Sequence, residues 1–221
     1  MTPVTPNATG SLPLSDLSAI MSAAPVIPVL VIDRVEDAVP VAEALVAGGL
    51  PVLEVTLRTP AALDAIRAMK TVPGAVVGAG TVINPRLLEQ AVDAGAEFLV
   101  SPGLTDALAE AAKASTVPLL PGVATASEIM RALDHGFTRL KFFPAVASGG
   151  IPALQGHSAV FGDVTFCPTG GISARTAPDW LALPSVACVG GSWLWPRGEA
   201  VDRDAIIARA REAAALKGAK A

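Results

Sequence analysis

The sequence contains no tyrosine, only two histidines and only two cysteines. His135 and His157 are too few for a zinc site or for a histidine-based triad, and the missing tyrosine excludes a phenolic general acid. Cys167 and Cys188 lack CxxC spacing and lie in apolar runs, which predicts two small core residues. We therefore expect neither a metal nor another cofactor.

Charged residues are also scarce, at 16% of the chain, and the formal net charge of -4 comes without basic runs. Nucleic acid is not expected as a partner, because its binding requires clustered lysine and arginine. No apolar run reaches the length of a signal peptide or of a membrane span, which predicts a cytoplasmic protein without a membrane partner. Small molecules are the expected partners.

The apolar residues that dominate the sequence are aliphatic. Hydrophobic residues make up 52% of the chain and aromatic residues 4%, a composition typical of helices packed on a parallel sheet. The length of 221 residues suits one domain, which we place at residues 15–221. Residues 1–14 are rich in Thr and Pro and are predicted to be a flexible N-terminal segment.

Apolar runs alternate with alanine-rich amphipathic segments along the domain. The runs predict eight strands, at 26–32, 52–58, 75–82, 97–103, 118–124, 139–145, 164–170 and 186–193. Helices are predicted at 16–23, 36–47, 60–69, 85–94, 105–114, 127–135 and 202–216. Eight strand–helix units favour a closed (β/α)8 TIM barrel with a short extra N-terminal helix. The alternative is an open doubly wound sheet, but no glycine-rich turn follows the first predicted strand.

Local signals mark the ends of several predicted helices. Thr59-Pro60 and Asn84-Pro85 each place a capping residue before a proline at the first helical position. Gly95 and Gly136 supply the left-handed residue that commonly ends a helix.

Lys141 lies in the middle of an apolar run, between Leu140 and Phe142. Burial penalises the charged form of an amine, so part of Lys141 would be the free amine that can attack a carbonyl. The alternative is a lysine at a strand end that reaches solvent or pairs with a carboxylate.

The second predicted strand carries polar side chains on alternate positions. Glu54, Thr56 and Arg58 share one face, and the other face is apolar. In a barrel the apolar face meets the helices, which turns the polar face toward the interior. The alternatives are a solvated edge strand, or an ion pair between Glu54 and Arg58 with a purely structural role.

Other predicted strands end in small or polar residues, such as Thr81 and Pro102. Barrel enzymes work at the carboxyl ends of their strands, so these ends should surround one pocket with Lys141. The last two strands end in paired glycines, at 170–171 and 190–191, whose amides suit a phosphate, although two tight turns would explain them as well. Schiff-base chemistry is favoured by this combination of a nucleophilic amine, a carboxylate, a cation and a phosphate-binding site.

Eight motifs, in order along the chain, resemble the class I 2-keto-3-deoxy-6-phosphogluconate (KDPG) and 4-hydroxy-2-oxoglutarate (KHG) aldolases. They are VIPVLVI (26–32), EVTLR (54–58), GAGTV (78–82), SPGLT (101–105), PGVAT (121–125), KFFPA (141–145), CPTGGI (167–172) and GGSWL (190–194). The resemblance implies a homotrimer of barrels that splits KDPG into pyruvate and glyceraldehyde 3-phosphate in the Entner-Doudoroff pathway. It further implies that the enzyme can also cleave KHG to pyruvate and glyoxylate.

The resemblance also implies a role for individual residues. Lys141 would form the Schiff base and Glu54 would be the general acid/base. Arg58 and Thr81 would hold the pyruvate carboxylate, and Pro102 and Phe143 would line the pocket. The phosphate would bind at Thr169, Gly170, Gly171, Gly191 and Ser192. The threonine and serine of that set favour the gluconate substrate over its galactonate epimer.

Two features depart from the family pattern. Val146 stands where many relatives have an acidic residue, and residues 147–159 match poorly and are interpreted as a loop that affects substrate preference or subunit contacts. Two other functions are possible for the same residues: a phosphosugar-binding barrel without chemistry, and a phosphate-binding isomerase in which Glu54 is a base and Lys141 an electrostatic group.

Overall fold

The computed structural model describes residues 16–216, so the predicted segment at 1–14 lies outside the described residues. In this range the strands are β1 Val26–Leu30, β2 Val52–Thr56, β3 Val76–Gly80, β4 Leu99–Val100, β5 Leu119–Leu120, β6 Gly122–Val123, β7 Arg139–Phe142, β8 Thr165–Pro168 and β9 Val189–Gly191. The helices are α1 Leu17–Ser22, α2 Val35–Ala47, α3 Ala62–Met69, α4 Pro85–Asp93, α5 Asp106–Ala114, α6 Ala126–Asp134, α7 Gly150–Val160, α8 Ala177–Leu181 and α9 Arg203–Ala214. Within 16–216, no helix combines the length and the apolar character needed to cross a membrane.

The strands form an α/β fold in which every pairing between them is parallel. One sheet has the order β5-β4-β3-β2-β1-β9 and a second has the order β6-β7-β8. Pro121 divides the fifth predicted strand into β5 and β6, because proline has no N–H for the ladder. The single continuous sheet predicted from the sequence is observed as two sheets, with Pro121 at one break. At the other break, between β8 and β9, isolated bridges join Phe166 to Val186 and Thr169 to Gly190.

The alternation of β2 separates two layers of the core, as its sequence predicts. Leu53 and Val55 belong to the large apolar cluster beneath the helices. Val52 belongs to a second cluster on the inner side of the sheet, where α1 contributes Ile20 and Met21. Glu54 and Thr56 share the inner face with Val52 and are buried there. The fold thus turns the polar face of this strand toward the interior.

One of the two predicted helix caps is confirmed and the other is wrong. The Asn84 side chain accepts a hydrogen bond of 2.9 Å from the amide of Leu87, with proline at the first position of α4. In contrast, α3 begins only at Ala62 and has no side-chain cap. The Thr59 hydroxyl instead donates to the carbonyl of Ile32, so this threonine joins the ends of two neighbouring strands.

The helix ends at Gly95 and Gly136 are confirmed, with φ values of 89° and 87°. The prediction of a loop at 147–159 is wrong, because α7 covers most of that segment. Gly149 precedes this helix with φ 100°. Gly156 lowers the helix propensity of this segment, and its apolar residues do not form a stripe. Pro152 lies in the first turn of the helix, where a proline is tolerated.

Candidate active site

A cavity of about 170 Å³ lies where the carboxyl ends of the parallel strands meet. It is lined by Val29, Glu54, Thr56, Arg58, Thr81, Pro102, Lys141, Phe143 and Thr169. These residues come from six different strands or the loops that follow them. Every residue predicted for catalysis or pyruvate binding is in this set, so the structure brings all of them together.

A larger cavity, of about 420 Å³, lies beside Asp33 and Trp195. Its carboxylates are already engaged, since Asp33 accepts two hydrogen bonds from Arg197 and Asp37 accepts two from Arg34. Size alone therefore does not identify the active site. The smaller cavity is the candidate because it contains a buried amine next to a buried carboxylate.

Lys141 and Glu54 meet across the interior of the fold. They lie on β7 and β2, which are not neighbours, and Lys141 Nζ is 3.3 Å from Glu54 Oε1. The two residues are only 5% and 4% exposed. Of the two alternatives for Lys141, the one in which it reaches solvent is wrong and the one in which it pairs with a carboxylate is observed. Glu54 pairs with Lys141 rather than with Arg58. At this distance a proton can pass directly between the two groups, in a setting where charges interact more strongly than in water.

The alternation of β7 aims Lys141 into the cavity. Its neighbours Leu140 and Phe142 are fully buried in the outer apolar cluster, so the intervening lysine points the other way. The Phe143 ring covers the amine, with its centroid 5.1 Å from Nζ. An aromatic face at this distance stabilises a cation, including an iminium ion formed on the same nitrogen.

Arg58 and Thr81 line the same cavity from the loops after β2 and β3. Within residues 16–216, Arg58 forms no salt bridge with a carboxylate, so its guanidinium is available to an anionic ligand. Thr81 has a φ of 63°, which a β-branched residue adopts only at a cost of about 1–2 kcal/mol. Strained backbone of this kind clusters at functional sites, and here it sets the Thr81 side chain beside the cavity.

The residues predicted to bind phosphate lie next to one another. A bridge joins Thr169 to Gly190 and brings the two glycine pairs side by side. Gly170 and Gly171 have φ values of 103° and 79°, which only glycine adopts without strain. Gly191 ends β9 and Ser192 follows it, exposed to solvent. Because Thr169 also lines the cavity that contains Lys141, this cluster adjoins that cavity.

Two residues of the cavity, Val29 and Thr56, are absent from the predicted site. Thr56 is buried, and its hydroxyl donates a hydrogen bond of 3.0 Å to the carbonyl of Leu30. The alternation of β2 already placed Thr56 on the inner face, and that signal could have added it to the site. Val29 has no comparable signal, because its run is apolar throughout.

Cys167 and Cys188 are buried and free, as predicted. A hydrogen bond between the two thiols, together with burial, raises the pKa of Cys188 well above its usual value. This thiol therefore stays protonated at neutral pH, as expected of a small core residue.

Comparison with known proteins gives a consistent result. A family model for KDPG and KHG aldolases matches residues 17–209. The 2-dehydro-3-deoxy-phosphogluconate aldolase of Zymomonas mobilis is 58% identical over 206 residues, which cover 93% of this chain and 99% of that protein. The KHG/KDPG aldolase of Escherichia coli K12 is 55% identical and covers 91% of this chain and 95% of its own length.

Two solved structures extend the comparison to three dimensions. The crystal structure of the Zymomonas mobilis ZM4 aldolase with 3-phosphoglycerate superposes with a TM-score of 0.91 and covers 93% of this chain and 98% of that one. The Legionella pneumophila KDPG aldolase holds pyruvate captured at low pH as a covalent carbinolamine intermediate. It is 50% identical, with a TM-score of 0.86, and covers 89% of this chain and 97% of that one.

Proposed function

Because the chain belongs to the KDPG and KHG aldolase family, we propose that Lys141 and Glu54 perform its aldol cleavage through an imine. The protein is a carbon–carbon lyase that splits KDPG into pyruvate and glyceraldehyde 3-phosphate. The observation that carries the assignment of residues is the 3.3 Å contact between the buried Lys141 Nζ and Glu54 Oε1 in the cavity at the strand ends. The carbinolamine in the Legionella pneumophila relative supports the same chemistry.

The first half of the reaction forms the imine. Transfer of a proton from Lys141 to Glu54 leaves a free amine beside a carboxylic acid. The amine adds to the keto carbon of the substrate and gives a carbinolamine. Glu54 then donates its proton to the departing hydroxyl, and water leaves as the iminium ion forms. The Phe143 ring lies over this nitrogen and favours the positive charge.

The second half breaks the carbon–carbon bond and restores the enzyme. Ionised Glu54 accepts the proton of the C4 hydroxyl while the C3–C4 electron pair moves into the iminium, which releases the aldehyde and leaves an enamine. Glu54 returns the proton to C3, the carbon that becomes the methyl group of pyruvate. Water then hydrolyses the pyruvate imine and frees Lys141.

The remaining residues of the proposed site hold the two ends of the substrate. Arg58 and Thr81 bind the carboxylate next to the keto carbon, while Pro102 and Phe143 close the sides of the pocket. A guanidinium without a salt-bridge partner among residues 16–216 supports this role, since it pairs well with a carboxylate. The phosphate binds at the opposite end, through Thr169, Gly170, Gly171, Gly191 and Ser192. The left-handed glycines support that placement, since the backbone of such a turn can approach an anion closely.

KHG is the second proposed substrate, and it has a carboxylate in place of the phosphorylated end. The name of the Escherichia coli relative, KHG/KDPG aldolase, supports this activity. Cleavage to pyruvate and glyoxylate uses the same imine chemistry at Lys141 and Glu54 and involves no phosphate. Removal of the Ser192 hydroxyl should therefore raise KM for KDPG and leave KM for KHG nearly unchanged.

Several further properties are proposed on the family resemblance. The two sheets would close into a single (β/α)8 barrel, which the parallel pairing of β1 with β9 and the bridges of Thr169 and Phe166 support. The enzyme would be a cytoplasmic homotrimer that acts in the Entner-Doudoroff pathway. Sedimentation equilibrium tests the trimer, and a monomeric mass would contradict it.

Borohydride trapping tests the proposed chemistry directly. The protein is incubated with pyruvate and sodium borohydride, and the reduced adduct is located by peptide mass spectrometry. We expect the adduct on Lys141, its loss in Lys141→Ala, and no change in Lys113→Ala, which removes an exposed lysine paired with Glu110. Absence of any adduct in folded protein would contradict the proposal and favour the isomerase or the binding barrel.

A further inference from the structure

Gly80 is the last residue of β3, and its missing side chain leaves the space that Glu54 occupies. A Cβ atom built on Gly80 would lie 2.1 Å from Glu54 Oε1 and 2.8 Å from both Cδ and Cγ of the same side chain. Real Cβ atoms essentially never show contacts below 3.0 Å, so an added Cβ would require the Glu54 side chain or the backbone of β3 to move. The carboxylate of Glu54 thus lies where the side chain of any other residue at position 80 would begin.

The backbone of Gly80 does not itself require glycine. Its φ lies outside the left-handed region in which nine other glycines of residues 16–216 are found. It is paired in a regular parallel ladder with Thr56. The requirement for glycine therefore comes from the neighbouring strand, and specifically from the side chain of Glu54.

The oxygen that would be displaced is the one that contacts the lysine. Glu54 Oε1 is both the nearest atom to the added Cβ and the acceptor of the 3.3 Å hydrogen bond from Lys141 Nζ. Glu54 is 4% exposed, so the room available to a displaced carboxylate is the cavity itself. A methyl group at position 80 would push the proton-transfer group away from its place beside Lys141 and into the space for substrate.

Gly78, two residues earlier on the same face of β3, has a different role. A Cβ atom on Gly78 would collide with the ring of Phe98, at 2.4 Å, and Phe98 belongs to the inner apolar cluster. Gly78 thus makes room for core packing, while Gly80 makes room for a functional carboxylate. Glycine is therefore required at positions 78 and 80 for two different reasons.

We propose that Gly80 is a positioning residue for the reaction, which holds the Glu54 carboxylate beside Lys141 by leaving the space that Oε1 fills. The inference rests on the proposed function, because it assigns to Glu54 the proton transfers of the aldol cleavage. Gly80 acts through Glu54 and makes no contact with the reacting atoms in this role.

The test compares Gly80→Ala with the wild type in the exchange of pyruvate methyl protons for deuterium, followed by NMR. The rate is divided by the fraction of enzyme that borohydride traps, so that proton transfer is separated from imine formation. A misplacement of about 1 Å in a catalytic group commonly costs about 100-fold in rate, and we expect a fall of that size. Gly162→Ala is the matched control, because a Cβ atom there meets nothing within 4 Å. An unchanged normalised rate in Gly80→Ala would overturn the inference.

A second comparison, made in the Glu54→Ala variant, distinguishes a displaced carboxylate from a general disturbance of the fold. Glu54→Ala removes the carboxylate with which the methyl group added at position 80 would collide, so combining it with Gly80→Ala should leave the residual exchange rate unchanged. The same loss in both backgrounds would show that the alanine harms the fold rather than Glu54, and would overturn the inference.

A crystal structure of Gly80→Ala gives an answer that does not depend on turnover. We expect Glu54 Oε1 to move by at least about 1 Å, the clearance a Cβ atom needs. A carboxylate that stays in place while β3 shifts would overturn the inference. Failure of the wild type to form an adduct or to exchange protons would instead overturn the proposed function, and the crystal structure would still decide the role of Gly80.

Discussion

Replacement of Lys141 by methionine should destabilise the protein more than replacement of both Lys141 and Glu54. Methionine resembles lysine in volume, so the change removes the charge and leaves the Glu54 carboxylate 4% exposed without the ion 3.3 Å away. Breaking one side of a buried ion pair costs about 3–5 kcal/mol in the free energy of unfolding. When both partners become apolar residues of similar volume, the change is often neutral or stabilising by about 1–4 kcal/mol.

These magnitudes translate into large shifts of the melting temperature. In a domain of this size, 1 kcal/mol corresponds to roughly 2–4 °C, so Lys141→Met should lower Tm by roughly 6–20 °C. Glu54→Met should have an effect of the same sign, and the double variant should melt near or above the wild type.

The assay is thermal unfolding of the four proteins at one protein concentration, because association would make Tm depend on concentration. The prediction is tested by the coupling between the two substitutions, which is the difference between the effect of the double variant and the sum of the single effects. This coupling isolates the interaction between Lys141 and Glu54 from the other effects of each substitution. A double variant whose loss equals the sum of the single losses would refute the reasoning. It would show that the amine and the carboxylate do not stabilise each other in the folded protein.

Three further predictions concern residues around the site and on the surface. Arg58→Ala should raise KM for KDPG roughly 10- to 100-fold with a smaller effect on kcat, because a charged hydrogen bond to the substrate carboxylate is lost. An unchanged KM in steady-state kinetics would contradict the role of Arg58 in binding that carboxylate. Thr81→Gly should raise KM for KDPG, because a side chain that binds the substrate is lost. It should also raise the midpoint of urea unfolding, because it relieves about 1–2 kcal/mol of backbone strain at φ 63°. A lower midpoint would show that other interactions of Thr81 compensate the strain. Hydrogen bonds from Arg131 and His135 lower the pKa of Asp106 to about 2, so its stabilisation is present above its usual pKa and is lost as the pH falls through about 2. Asp106→Asn should therefore lower Tm at pH 7, and the difference from wild type, followed by calorimetry, should disappear toward pH 2; a difference that persists there would contradict the cause.

Much of the site could be predicted from the sequence because strand geometry is regular. The alternation of β2 predicts that Glu54 faces inward and Leu53 outward, and the structure agrees. Lys141 stands out because it is a lone charge in an apolar run. The first inference rests on a period of two residues and the second on the cost of burying an amine, and neither needs knowledge of the neighbouring strands.

Features that depend on contacts between distant segments could not be predicted. The Thr59 hydroxyl donates to the carbonyl of Ile32 rather than capping a helix, and nothing near Thr59 in the sequence signals that partner. Position 80 requires glycine because the Glu54 side chain, which comes from another strand, occupies the space beside it. In α7 the helix forms despite Gly156, and Pro152 is compatible with it because a proline is tolerated in the first turn of a helix.

The pairing of β1 with β9 has a consequence for how the chain folds. Val26 lies beside Val189, so this contact joins segments that are roughly 160 residues apart and its loop-closure entropy must be overcome before the contact contributes. Among residues 16–216, β1 pairs with β2 and β9, so β2 is its one available partner in this range until the ribosome has released residue 191. β1 therefore keeps one unpaired edge until β9 has been synthesised, and this part of the sheet is completed late in translation.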